Sequence, residues 1–253
     1  GERFRPTGDL AEAVAAVEQL AQLRNQLPTK TTRTDETQRL QQFSTPPDYA
    51  YAVSWVANLQ PEDVVLEPSA GTGALAIFPP WAVGMDQVYV NELAPRRLEA
   101  LDALGFRHIS NVDAAFLYSL LSASQQQPPT VVVMNPPFSS QQGQRFAHVG
   151  ARHVEEALKF LAPGGRLVAI VGGGRGIDGP RGGMSFANPT FRDWWSRIQE
   201  HYTVRANIAV SGDVYRKMGT TFGTRVLIID KGPPTIPDSV LQGEAQSIPD
   251  LLR

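Results

Sequence analysis

The tetrapeptide Asn135-Pro136-Pro137-Phe138 follows the apolar run Val131-Val132-Val133-Met134. A short apolar run of this kind reads as a buried strand. Consecutive prolines cannot continue a ladder and bar helical conformation at the preceding residue, so the strand must stop with Asn135 in an extended turn. Asn135 is then projected beyond the carboxyl edge of a sheet. An amide oxygen there, together with the Pro136 carbonyl, can accept both hydrogens of an exocyclic amino group. An aryl amine is a weak nucleophile because its lone pair is delocalised into the ring. Two acceptors so placed favour a pyramidal nitrogen with its lone pair aimed at a methyl donor, a catalysis of positioning and electrostatics. Phe138 would offer a face to the target ring, stacking being worth roughly 1–3 kcal/mol per base. The plainer alternative is a structural Asn-Pro-Pro turn.

Three further groups of residues suit a nucleotide-like cofactor. Glu67-Pro68-Ser69-Ala70-Gly71-Thr72-Gly73 comes directly after the apolar run Val64–Leu66. Glycines there permit positive φ and close approach of a ligand, and a following helix N-terminus would supply free N–H groups. A plain tight turn is the competing explanation. Asn91-Glu92 ends the next apolar run, where an acid can accept both ribose hydroxyls of an adenosine; it would equally suit the start of a helix. Asn111-Val112-Asp113 follows the third run, where Asp113 can accept from an adenine amino group or cap a helix.

The elements that must position these residues alternate. Strands are predicted at Val64–Leu66, Val88–Val90, Arg107–Ile109, Val131–Met134, Leu167–Val171, Val204–Val210 and Thr224–Ile229, and helices at Leu75–Ile77, Ala94–Leu104, Ala114–Ser122, Gln144–Leu161 and Thr190–His201. Such alternation predicts a doubly wound α/β fold with a seven-stranded, mostly parallel sheet. The last two strands lack a helix between them and are expected to pair as an antiparallel hairpin at one edge. Ahead of the sheet, apolar positions from Asp9 to Leu27 predict an amphipathic helix ended near Pro28, and a second helix is expected over Asp48 to Leu59. The chain divides into an N-terminal helix and linker (1–40), a main domain (41–232) and a tail or linker (233–253) marked by Pro233, Pro234 and Pro237. If the first strand neighbours the fourth, Gly71–Gly73 and Asn135–Phe138 flank the crevice where ligands sit in such sheets.

Composition narrows the class. The 253 residues, 42% apolar and 19% charged, suit one large globular domain, and no apolar run is long enough to cross a bilayer. The absence of cysteine removes disulfides and thiolate metal sites, and four scattered histidines form no ligand pattern, so no metal and a cytoplasmic location are expected. The first residue is Gly1, which suggests a trimmed chain or a piece of a longer one. A net charge of −2 argues against nonspecific nucleic-acid binding by the whole surface. The segment from Gly172 to Arg225 nevertheless leans basic, and Arg175 and Arg181 lie in its glycine-rich loop, as a nucleic-acid clamp or as ordinary solvated charge.

These motifs together resemble the Rossmann-like methyltransferases, in particular the amino-methylating DNA adenine group with its Asp/Asn-Pro-Pro-Phe/Tyr motif. The likeness spans roughly Gln41 to Lys231. It implies S-adenosyl-L-methionine as cofactor, with Phe43, Ser44, Thr45 and Pro46 of the Phe-Ser-Thr-Pro-Pro element over its methionine part. It places Glu67, Ser69, Ala70, Gly71 and Gly73 in the cofactor loop, Asn91 and Glu92 at the ribose, and Asp113 and Ala114 at the adenine. Asn135 to Phe138 become the catalytic tetrapeptide, into which a DNA adenine would be flipped for methylation at N6. The run Gln41 to Leu75 is similar to the methylase portion of bacterial and phage strawberry-notch-type methylase–helicase fusions. Two departures stand out. Pro79-Pro80 cut the helix after Gly73, and only the insertion Gly172–Pro189 and the tail could recognise a target sequence. Recognition is therefore expected to be loose, or to come from a missing segment or a partner subunit.

Rival readings are an NAD-dependent oxidoreductase, since Gly71-x-Gly73-x-x-Ala76 with Glu92 passes a relaxed dinucleotide pattern, and an RNA base or protein glutamine methyltransferase. An inactive methyltransferase-like module is a further one.

Overall fold

The computed structural model describes residues 4–28, 44–123, 127–137, 149–174 and 189–253. An eight-stranded sheet runs in the order β3-β2-β1-β4-β5-β7-β6-β8. Its strands are β1 (Val65–Glu67), β2 (Val88–Asn91), β3 (His108–Ser110), β4 (Val131–Met134), β5 (Arg166–Gly174), β6 (Thr203–Val210), β7 (Gly223–Asp230) and β8 (Leu241–Ala245). β7 alone among them runs against its neighbours, pairing antiparallel with both β5 and β6. β1 pairs in parallel with β2 on one side and β4 on the other.

Both faces of the sheet are covered, and the strands alternate between them. Val131, Val133, Val168 and Ile170 enter one core with Ala13, Val17, Tyr49 and Val53. Val132, Met134, Leu167, Ala169 and Val171 enter the other with Val154, Leu158, Trp194 and Ile198. Apolar residues at both parities explain why these strands read as unbroken runs. The first core is covered by α1 (Leu10–Gln26), α2 (Pro47–Val56), α3 (Pro80–Val83), α4 (Pro95–Ala103) and α8 (Ile248–Leu252), the second by α5 (Leu117–Ala123), α6 (Val149–Phe160) and α7 (Pro189–His201).

Three expectations need correction. The segment after Gly73 forms turns, with no helix at Leu75–Ile77, and the next helix starts at Pro80. The prolines open that helix instead of closing an earlier one, because a fixed φ and a missing N–H suit the first helical turn. The antiparallel hairpin is present but is not at the edge, and the sheet has eight strands instead of seven, because β8 extends it by pairing in parallel with β6. The tail read as loop thus contains a strand and a helix. β8 escapes apolar pattern analysis because four of its five residues, Leu241 to Glu244, are exposed and only Ala245 is buried.

The N-terminal helix forms as expected. Asp9 and Glu12 make a capping box at its start, Glu12 N–H donating to Asp9 Oδ1 at 2.9 Å. It is part of the core, with Ala13, Ala16, Val17 and Leu20 buried against α2 and α8. No helix of the described residues is long and apolar enough to cross a membrane.

Candidate active site

The parallel strands deliver their carboxyl ends to one edge, and three of the loops there are stitched together by side chains. Asn91, 1% exposed, donates from Nδ2 to the carbonyls of Pro68 and Val112, while its Oδ1 accepts from Ser110 Oγ and Val112 N–H. All four of its hydrogen-bonding positions are used within the protein. Glu92, 2% exposed, accepts Gly71 N–H at 2.7 Å on Oε2 and Ala94 N–H at 2.8 Å on Oε1. The loops after β1, β2 and β3 form one unit in consequence. Asn111 adds to it, donating to the carbonyls of Glu92 and Leu93.

Within the glycine loop the two glycines differ in what they permit. Gly73 has φ +83°, and a Cβ there would lie 2.7 Å from Leu104 Cδ1, so the helix α4 packs against its bare backbone. Gly71 has φ +59°, and a Cβ there would meet nothing nearer than Arg97 Nη1 at 3.9 Å. The space above Gly71 is open to a ligand; the space at Gly73 is filled by protein. Ala70 is buried and Ser69 half-buried in the same turn.

Glu67 ends β1 and is buried, with Oε2 lacking any partner. Burial first, and then the neighbouring Glu92 charge, push its carboxyl well above the usual carboxylate range, against a backbone hydrogen bond from Ala76. Asp113 caps the short 3-10 turn Ala114–Phe116, its Oδ1 accepting Ala115 N–H at 2.9 Å, and Ala114 is buried beneath it. Both plainer alternatives, the acid before a helix at Glu92 and the cap at Asp113, are therefore real contacts of these side chains.

Asn135 follows β4 with the parity of Val131 and Val133, so its side chain turns toward α2. Its Nδ2 donates to Thr45 Oγ1 at 2.9 Å and to Tyr215 Oη at 3.2 Å. Its Oδ1 is buried and has no partner. Pro136 is buried and Pro137 half-buried. Thr45 itself is buried beside Pro46, whose carbonyl accepts Ala50 N–H at the start of α2; Ser44 is half-buried. The sequence gives no spacing signal for Tyr215, which lies in the 3-10 turn Gly212–Met218 between β6 and β7 and is fully buried. Phe43, Phe138, Arg175 and Arg181 lie outside the described residues. Of the basic segment, Arg205 pairs with Asp230, Arg216 with Asp213 and Arg197 with Glu155, and Arg225 is buried and bonded to Asn207. Arg197, Arg205 and Arg216 are thus paired with carboxylates of the same protein. Among the described residues no cluster of three His, Asp or Glu could hold a metal ion.

Residues 55–175 match the family model described as Methyltransferase small domain. No curated protein sequence matches the chain. Among solved structures, a candidate RNA methyltransferase from Pyrococcus horikoshii is similar at a TM-score of 0.59 and 16% identity, over 86% of this chain and 99% of that one. The M protein of the type I restriction enzyme EcoKI gives 0.57 at 18% identity, over 76% of this chain and 44% of that one. TrmN from Thermus thermophilus gives 0.51 at 18% identity, over 79% of this chain and 55% of that one. The chain thus spans nearly all of the first protein but about half of the other two.

Fold and sheet order are those of the Rossmann-like methyltransferases, and the match over residues 55–175, a little under half of the chain, is to a methyltransferase domain, which implies S-adenosyl-L-methionine as cofactor. Within that class the stretch similar to the small methyltransferase domain holds the glycine loop, Glu92, Asp113 and Asn135. The residues present fit the cofactor. Gly71 leaves room against its backbone, and Glu67, with one oxygen unpartnered, could ionise to meet an ammonium or sulfonium cation brought beside it.

Proposed function

We propose that this chain methylates the N6 amino group of adenine in DNA, the base being flipped to meet Asn135. The observation that carries this reading is the Asn135 amide: both its donors are committed to Thr45 and Tyr215, and its oxygen is left without a partner at the carboxyl end of β4. An orphaned buried acceptor is costly unless a ligand completes it. An amino group supplies the missing hydrogen. Asn135 Oδ1 and the Pro136 carbonyl would then hold both amine hydrogens, favouring a pyramidal nitrogen whose lone pair is less delocalised into the ring. Phe138 would stack on the base.

S-adenosyl-L-methionine, when bound, supplies an electrophilic methyl on a sulfonium. Glu67 would take up its positive charge, the open backbone at Gly71 its body, and Glu92 and Asp113 its ribose and adenine, with Phe43, Ser44, Thr45 and Pro46 covering its methionine part. Glu92 can do so because each carboxylate oxygen has a second lone pair beyond the one used by Gly71 or Ala94. Arg175 and Arg181 would contact the nucleic-acid backbone. Sequence recognition would come from a partner subunit or a further segment, as the 44% coverage of the EcoKI M protein supports.

A second reading, methylation of an RNA base, draws support from the similarity over 99% of the Pyrococcus horikoshii chain. Transfer of a tritiated methyl group to unmethylated DNA, total RNA and protein, followed by nucleoside analysis, separates the two. Label in N6-methyladenine from DNA is expected. Label confined to RNA would move the assignment to the second reading, and label confined to protein would overturn both.

A further inference from the structure

From the contacts around Asn135 we infer that Tyr215, assisted by Thr45, is a positioning residue that fixes which way round the Asn135 amide sits. The inference rests on the proposed role of Asn135 as acceptor of the target amine. An amide has two ends of opposite character, an oxygen that accepts and an NH2 that donates. Only one orientation presents an acceptor. With the NH2 turned outward, the site would offer donors to an amine whose hydrogens also need acceptors.

The structure biases this choice. Tyr215 Oη and Thr45 Oγ1 each take one Nδ2 hydrogen, at 3.2 and 2.9 Å, so turning the amide over would bury two N–H donors in place of one acceptor. Donation through both N–H bonds also polarises the amide and makes its oxygen a stronger acceptor. Tyr215 is rigidly held for this task. Its ring meets Tyr49 edge-on at 5.9 Å, and the Tyr49 hydroxyl shares a 3.0 Å hydrogen bond with Thr224 on β7. The turn carrying Tyr215 is closed by Gly212, where a Cβ would lie 2.0 Å from the Thr221 carbonyl oxygen. From the other side Arg24 of α1 donates to the Val214 carbonyl at 3.3 Å while paired with the buried Asp48 at 2.7 Å. Helices α1 and α2 and the β6–β7 turn thus converge behind one hydroxyl.

Tyr215→Phe removes that hydroxyl and leaves the packed ring. The expected result, on whichever nucleic acid accepts methyl, is a fall of about 10- to 100-fold in kcat, with KM for nucleic acid, affinity for S-adenosylhomocysteine and Tm unchanged. Asn135→Asp supplies the control, because a carboxylate presents an acceptor either way round. In that background Tyr215→Phe is expected to cost less. Equal losses in both backgrounds, or a loss that tracks a fall in Tm, would overturn the proposal. So would full kcat in Tyr215→Phe beside an inactive Asn135→Ala, which leaves the catalytic reading of Asn135 intact. An active Asn135→Ala would instead overturn that reading. Independently of activity, the 15N side-chain signals of Asn135, identified by their loss in Asn135→Asp, should exchange slowly and shift in Tyr215→Phe. Signals indifferent to that substitution would overturn the positioning role.

Discussion

The carboxyl ends of β2 and β4 both carry an asparagine, and the two are used in opposite ways. At β2, Asn91 has every hydrogen-bonding position filled by loops of the same protein, and Glu92 beside it holds two backbone N–H groups. At β4, Asn135 has two donors filled and one buried acceptor left empty. A filled side chain is architecture: it sets where a loop goes, and its removal is felt in folding. An unfilled one, held in place by its filled half, is where a ligand can complete the network. Position at the sheet edge does not separate these roles; the tally of partners does.

The largest effect that tests this contrast is expected at Asn135. Asn135→Ala should reduce methyl transfer at least about a hundredfold, with little change in Tm or in S-adenosylhomocysteine affinity measured by calorimetry. Substantial residual activity would remove the distinction between the two strand ends.

Glu92→Ala should behave the other way. It strips the acceptors from Gly71 N–H and Ala94 N–H, costing about 1–3 kcal/mol for the buried Ala94 donor left unpaired and less at the half-buried Gly71, which water can reach. The expected loss of stability is seen in denaturant unfolding and comes with weakened cofactor binding, since the loop that Gly71 opens is no longer tied to β2. A variant of native stability would mean that those hydrogen bonds are readily replaced.

How much of this was legible in sequence follows from the kind of signal each residue leaves. Strands β1, β2, β4, β5 and β7 announce themselves because they are largely buried and read as apolar runs, whereas the half-buried edge strand β3 leaves a weaker signal. β8 leaves none, being exposed along four of its five residues. Asn135, Glu67 and Glu92 are found by their place directly after apolar runs. Their division into architecture and chemistry is invisible there, because it depends on whether Gly71, Ala94, Thr45 or Tyr215 comes within hydrogen-bonding reach. Tyr215 is silent altogether. It has no motif, and its role exists only because the β6–β7 turn folds back over β4. The turn after Gly73 misled for a related reason: a proline pair starts a helix as readily as it ends one.

The finest test of the contrast uses two other buried atoms without partners, Glu67 Oε2 and His153 Nδ1, whose ionisations pull stability in opposite directions with pH. Burial pushes His153 down from 6.5 to about 4. Below pH 6.5 the unfolded chain gains a proton that the folded one does not take until about pH 4, so this contribution to stability is full above 6.5 and is lost as pH falls. Glu67 is raised well above its ordinary 4.5, chiefly by burial and then by Glu92. Its contribution is full below 4.5 and is lost as pH rises toward the folded value, because the unfolded chain releases a proton that the folded chain keeps. Urea midpoints of wild type against Glu67→Gln should therefore diverge in the variant's favour as pH rises, and those against His153→Gln as pH falls. Saturating S-adenosylhomocysteine separates the two further. A cation held beside Glu67 stabilises its charged form and should flatten the Glu67 difference alone. If ligand leaves that difference untouched, Glu67 is a buried acid of the scaffold, and the cofactor's charge is met elsewhere at the sheet edge.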